Sequence, residues 1–247
     1  MVKLEMKRAD WNSVPRILTH PSLVYYFLTK GREGAIRQVM KISGNQLSKA
    51  SQLDLSSYLR EGKGISLLGK VQGIDQEFLY LLVREYKPSV VVETGVFRGV
   101  SSALILNAMK DNNIGRLYSI DLPNAKYLED DGTIGYSPLS AKEETGSAIP
   151  DNLKSRWELI LGDSKVELPR LLKRVGTIDM FHHDSEHTYK NMMWEYETAY
   201  PYLSSKSILS SDDVKWNSAF FDFCNSHHLT ATAIEERAGF SLVNKEA

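Results

Sequence analysis

The sequence predicts an α/β fold: a Rossmann-like, doubly wound, mainly parallel seven-stranded sheet with an antiparallel edge strand, preceded by a helical extension. Three observations carry that prediction. Short β-branched runs alternate with helical-period segments from about residue 73 to the C-terminus, the pattern of strands joined by crossover helices. The stretch Ser89 to Ser102, SVVVETGVFRGVSS, passes from such a run through Gly95 and Gly99 directly into a helical pattern. Two further runs, RLYSID (116–121) and WELILGDS (157–164), also end in an acidic or glycine-bearing turn.

The chain divides at about residue 70. Upstream, residues 1–70 carry helical spacing in pieces between Trp11 and Ile42, broken by Pro15, Pro21 and Gly31, then a polar, glycine-bearing stretch from 45 to 69. This region reads as short helices and a loop packed outside the main domain, residues 71–247. In IDQEFLYLLVREY, Phe78, Leu81, Leu82 and Tyr86 share a helical face, and Pro88 stops the helix before the first strand. Strands follow at 90–93, 116–120, 158–161, 177–182, 207–211, 229–234 and 240–243. Helices are expected at 100–110, 165–174, 188–203 and 217–227. The last two strands have only EERAG between them and read as a hairpin, which gives the antiparallel edge. Residues 122–153 read as a long irregular stretch, suited to a lid that selects a substrate.

Composition limits the partners. With 42% hydrophobic residues, a 247-residue chain can bury a full core. Thirty Lys and Arg balance 31 Asp and Glu, so no basic surface points to nucleic acid or to an anionic membrane. The single cysteine, Cys224, excludes an internal disulfide framework and a cysteine-based metal cluster. No apolar run approaches the ~18 residues of a membrane span, and MVKLEMKRADW has no signal-peptide core, so a cytoplasmic protein is expected. A small molecule is the expected partner, with a homo-oligomer left open.

The glycine turn points to a nucleotide-like ligand, because ligands of open α/β sheets settle beyond strand carboxyl ends, against a helix N-terminus. The spacing is not G-x-G-x-x-G, so a dinucleotide pyrophosphate is disfavoured. Glu93 at the strand end suits a ligand with a cationic amine, as in S-adenosylmethionine. Asp121 falls where such folds hold ribose hydroxyls, with a turn cap before Pro123 and Asn124 as its structural alternative.

A second cluster lies at two later strand ends. DMFHHDSEHTY (179–189) places Asp184, Glu186 and His187 just past one strand; SILSSDDVKWN (207–217) places Asp212 and Asp213 at the end of the next. If the strands are neighbours, these carboxylates converge, and crowded acids call for a shared proton or a cation. Oxygen ligands favour a hard ion such as Mg²⁺. Helix capping by Asp184 and Asp213 is the structural alternative. His182 and His183 alternate across a strand and cannot face one ion together. His187 is placed to take a proton from a substrate hydroxyl, or else to sit exposed at a helix start. The stripe Tyr189, Met192, Met193, Tyr196, Tyr200, Leu203 and the isolated Cys224 read as core.

Taken in order, VVETGVFRGVSS, RLYSIDLP, IPDNLKSRWELILGDS, IDMFHHDSEHTYKNMMWEYETAYPYL and ILSSDDVKWNSAFFDF resemble the class I S-adenosylmethionine-dependent methyltransferases. The resemblance spans about residues 73–243 and is strongest to the small-molecule O-methyltransferases of the catechol, caffeoyl-CoA and macrolide-sugar types. It implies that Glu93, Gly95 and Gly99 line the methionine portion of the cofactor, that Asp121 holds the ribose, and that Asp163 and Ser164 lie at the adenine. It also implies Mg²⁺ held by Asp184, Asp212 and Asp213, with Glu186 as an alternative ligand. His187 stands where the catechol type has a basic lysine. The implied reaction is O-methylation of a small-molecule hydroxyl. Two other readings share the fold: a cofactor-binding module without catalysis, and a nicotinamide-dependent oxidoreductase, against which the missing G-x-G-x-x-G argues.

Overall fold

The computed structural model describes residues 74–136, 138–234 and 238–243. The helices and loop expected in the N-terminal extension, and its boundary at residue 70, lie outside the described residues.

Helix α1 (Ile74–Tyr86) leads into β1 (Val90–Thr94), α2 (Val100–Asn112) and β2 (Arg116–Asp121). A small hairpin follows, β3 (Lys126–Leu128) and β4 (Ile134–Tyr136), then a 3₁₀ turn at Asp151–Arg156 and β5 (Trp157–Leu161). The remaining elements are α3 (Ser164–Val175), β6 (Ile178–His183), α4 (Tyr189–Ala199), β7 (Leu203–Ser211), α5 (Ala219–Ser226), β8 (Thr232–Ile234) and β9 (Ala238–Val243). Seven strands form one sheet in the order β5-β2-β1-β6-β7-β9-β8. The first five pair in parallel, and the β8–β9 hairpin closes one side with antiparallel pairing to the edge.

Strand alternation decides the two layers. Val91, Met180 and Ile208 pack with Leu82 of α1 and Leu104 and Leu106 of α2. Their neighbours Val92, Phe181 and Leu209 face the other way, onto Leu172 of α3, Tyr196 of α4 and Phe223 of α5. Both faces are therefore covered, as continuous β-branched runs require. Burial of each such side chain contributes roughly 1.5–3 kcal/mol. Cys224 is buried in the second layer, and of the aromatic stripe on α4, Met192 and Tyr196 are fully buried.

Beyond shifts of a few residues at other element ends, two parts of the sequence reading differ from the fold. The helix expected over 188–203 stops at Ala199, because Pro201 has no N–H to extend the ladder; a 3₁₀ turn, Tyr200–Tyr202, intervenes and Leu203 already begins β7. The stretch 122–153 is not wholly irregular. Its three-residue strands are too short to show alternation, yet Tyr127 pairs with Gly135, where any β-carbon would stand 2.5 Å from the tyrosine ring. Among the described residues, no helix is long and apolar enough to cross a membrane.

Candidate active site

Strand order reverses at β1, which lies between β2 and β6. The carboxyl ends of β1, β2, β5, β6 and β7 open there into a cleft of about 940 Å³. Pockets for single small ligands run from about 300 to 1,000 Å³, so this one has room for a large ligand or two adjoining ones. Gly95, Asp121, Asp163, Ser164, Asp184, His187, Asp212 and Asp213 all line it.

On the β1–β2 side the geometry is set by a carboxylate and two glycines. Asp121 accepts the backbone N–H of Val96 at 3.0 Å and of Phe97 at 3.4 Å, and the Thr145 hydroxyl at 3.2 Å. It thus clamps the turn after β1 to the end of β2. Gly95, at φ +83°, is required for a reason absent from the motif: a β-carbon would lie 1.9 Å from the Asp184 carbonyl oxygen. Gly99, at φ +85°, starts α2 beneath Ile149, whose side chain a β-carbon would meet at 2.8 Å. Glu93 is fully buried behind the wall and accepts three hydroxyls, from Ser101, Ser102 and Ser119. Burial raises its pKa, against the pull of those serines. Ser101 lines the cleft itself. Asp163 caps α3 by accepting the Lys165 N–H at 2.8 Å, with Ser164 beside it on the wall.

On the β6–β7 side, Asp184, His187 and Asp212 each bring one donor atom to within 4.8 Å of the others. His187 Nε2 stands 4.0 Å from Asp184 Oδ1, its side chain only 10% exposed, and among the described residues that nitrogen has no hydrogen-bond partner. Burial, then the Asp212, Glu93 and Asp213 carboxylates, push the Asp184 pKa well up. Burial and the neighbouring His183 push the imidazole of His187 down to about 3, so it is neutral at physiological pH. Asp213 also lines the cleft, on backbone at φ 44°, but is not among the three residues whose donor atoms meet within 4.8 Å. Neither Asp184 nor Asp213 is a helix cap: Thr188 caps α4, and the Ala219 N–H at the start of α5 is taken by Asn217. Burial alone would not place two carboxylates here; the parallel pairing of β6 with β7 does so, setting His183 opposite Ser211.

Side chains that carried no sequence signal support this rim. Glu195, one turn into α4, is completely buried and accepts four donors: Thr94 at 2.5 Å, His183 Nδ1 at 2.7 Å, Ser185 at 2.9 Å and Asn191 at 3.4 Å. Asn217 donates to the His187 carbonyl at 2.8 Å and to Asp130 at 3.4 Å. Asp130, at the tip of the β3–β4 hairpin, accepts the Tyr189 N–H at 2.7 Å and so fastens the hairpin across the cleft. Tyr127 of that hairpin lines the cleft, with its phenol pushed up to about 12 by burial and by Glu129. Polar residues scattered over 90 positions have no shared spacing to be read.

Residues 92–214, β1 through the turn after β7, match the family model of a methyltransferase domain. The chain belongs to the class I S-adenosylmethionine-dependent methyltransferases. Solved structures share the methyltransferase's fold at low identity. The calicheamicin methyltransferase CalS11 is 19% identical at a TM-score of 0.51, over 88% of this chain and 94% of that one. An S-adenosylhomocysteine-bound methyltransferase from Podospora anserina is 12% identical at 0.52, over 81% and 98%. An O-methyltransferase from Bacillus cereus in complex with S-adenosylhomocysteine is 15% identical at 0.51, over 84% and 96%. No curated protein matches the sequence.

The methyltransferase cleft therefore gathers most of the expected residues on one rim. Glu93 is set back behind Ser101, and His187 rather than Asp213 joins Asp184 and Asp212 in the tight donor cluster.

Proposed function

We propose that the enzyme transfers the methyl group of S-adenosylmethionine to a hydroxyl of a small molecule, with a divalent cation assisting. The observation that carries this reading is the cluster of Asp184, His187 and Asp212, within 4.8 Å of one another, in the same cleft as Asp121. The glycine turn, Asp121, Asp163 and Ser164 would hold the cofactor, which supplies a methyl group already activated on a sulfonium. The named O-methyltransferases among the structural neighbours favour oxygen as acceptor.

The donor set fits a hard cation. Asp184 and Asp212 offer carboxylate oxygens, Asp213 stands beside them, and the raised pKa of Asp184 reflects negative charge that a cation would offset. Bound there, an ion such as Mg²⁺ supplies a Lewis acid that lowers the pKa of a hydroxyl. The chain's own residues do the rest. Asp184 and Asp212 fix the acceptor's side of the cleft, His187 takes the hydroxyl proton at its unpaired Nε2, and the hairpin fastened by Asp130 keeps water out. The proximity of a His187 ring nitrogen to both carboxylates favours a second reading, in which His187 is a third ligand to the ion.

The test is calorimetric titration with S-adenosylhomocysteine, with and without Mg²⁺, on the wild type and Asp212→Asn, alongside transfer from methyl-tritiated cofactor to a panel of phenols and sugars. The expected result is equal S-adenosylhomocysteine affinity in both proteins and label transfer by the wild type alone, abolished by EDTA. Absence of S-adenosylhomocysteine binding to the wild type would overturn the cofactor assignment, and label transfer surviving EDTA the role of the cation.

A further inference from the structure

Beneath the cleft, one buried carboxylate ties together the pieces that carry the donor cluster. Glu195 has no exposure, and its four donors come from the end of β1 (Thr94), the end of β6 (His183), the loop after β6 (Ser185) and α4 itself (Asn191). Asn191 also donates to the Glu186 carbonyl at 3.1 Å and Ser185 at 3.3 Å, so the loop from Asp184 to Thr188 is held from below at both Ser185 and Glu186. Although burial pushes its pKa up, the bonds from His183 and Thr94 prevail and hold Glu195 below the ordinary carboxylate value. An ionised carboxylate only accepts, so the Glu195 bond at 2.7 Å must be donated by His183 Nδ1–H. The other ring nitrogen of His183, Nε2, is buried with no hydrogen-bond partner among the described residues. The ring of His183 meets that of His187 edge to face, with centroids 5.2 Å apart.

We propose that Glu195 and His183 are positioning residues for the candidate cation and acceptor site: Glu195 fixes the tautomer and orientation of His183, whose ring in turn seats His187 against Asp184 and Asp212. This deepens the cation-assisted reading above and rests on it for its consequence. A stabilising role alone would not explain the form of the contact. The same carboxylate oxygen receives both Thr94 and His183, which locks the imidazole to a fixed strand end. The other oxygen receives Ser185, the residue between the two acidic members of the Asp184–Glu186 loop. Outer residues that orient ligands in this way typically change metal affinity by about 10–100-fold when altered.

The experiment has two arms. In the metal-free wild type, labelled with ¹⁵N-histidine, multiple-bond ¹H–¹⁵N spectra report each tautomer. The His183 proton is expected on Nδ1, and a ring protonated at Nε2 alone would overturn the proposal without any variant being needed. In Glu195→Gln, which keeps the side chain's shape, the His187 imidazole resonances are expected to move from their wild-type positions; unchanged resonances would overturn it. The second arm measures Mn²⁺ affinity by electron paramagnetic resonance. Both Glu195→Gln and His183→Asn should weaken it about tenfold or more in protein that still melts cooperatively, though at a lower temperature, while S-adenosylhomocysteine affinity stays close to the wild type. Equal Mn²⁺ affinity in all three proteins would refute the positioning role. If the wild type takes up no Mn²⁺, it is the cation reading that fails, and the histidine spectra still decide whether Glu195 orders His183 and His187.

Discussion

The carboxylate of Asp121, at the end of β2, accepts the backbone N–H of Val96, just past the end of β1, at 3.0 Å. One side chain thus fixes the relation between two adjacent strand ends and the turn that lies between them. Replacing it by Ala removes this bond and those to Phe97 and Thr145. Hydrogen bonds to a charged group are worth about 1.5–3 kcal/mol, so S-adenosylhomocysteine affinity should fall by at least about tenfold in a calorimetric titration of Asp121→Ala. Unchanged affinity would remove Asp121 from the cofactor side of the cleft.

Gly95 and Gly132 share nearly the same backbone, φ +83° and +84°, but differ in surroundings. A β-carbon at Gly95 would overlap the Asp184 carbonyl, whereas at Gly132 nothing lies within 4 Å. Gly132→Ala should therefore cost only the left-handed strain of about 1–2 kcal/mol. Gly95→Ala should cost more than about 4 kcal/mol, a fall in melting temperature of about 10 °C or more in a thermal scan. Equal shifts for the two would mean that β1 and β6 do not approach as closely as described.

Cation binding at Asp184 should strengthen with pH. Its folded pKa is raised above 3.8, so it retains a proton above that value and loses stability as pH rises toward its folded pKa, when the bare carboxylates face one another. A cation competes with that proton and relieves that repulsion. Added Mg²⁺ should raise the melting temperature more at pH 8 than at pH 5, and Asp184→Asn should abolish the difference.

Glu195 has the opposite sign. Its folded pKa is held below 4.5, so the stability it contributes is fully present above pH 4.5 and is lost as pH falls through the folded value. Acid unfolding of Glu195→Gln, followed by circular dichroism, should be shallower over that range than that of the wild type.

Asp130 fastens the β3–β4 hairpin to the first turn of α4 through the Tyr189 N–H. A carboxylate at a helix N-terminus contributes about 1 kcal/mol. Asp130→Ala should leave the global melting temperature almost unchanged and speed amide exchange across residues 126–136, measured by mass spectrometry.

The expected strands and helices between residues 74 and 243 are legible in the sequence because burial on both faces of a parallel sheet forces β-branched runs, and crossover helices force the intervening period. The acids at strand ends are legible for the same reason: Asp121, Asp184 and Asp212 each close an apolar run. The β3–β4 hairpin was not, since three residues are too few to show a period. Nor was the role of Glu195, which looks like any helix glutamate until Thr94, His183, Ser185 and Asn191 are brought around it.

What the sequence by itself determined is the list of strand-end residues and the side of the sheet to which each strand delivers them. Only the tertiary structure decided which of them meet. Strand order put β6 beside both β1 and β7, bringing His187 to Asp184 and Asp212, making Gly95 obligatory beneath the Asp184 backbone, and burying Glu93 behind Ser101. Adjacency in a sheet is set by long-range pairing between strands as much as 90 residues apart, and local spacing carries no record of it.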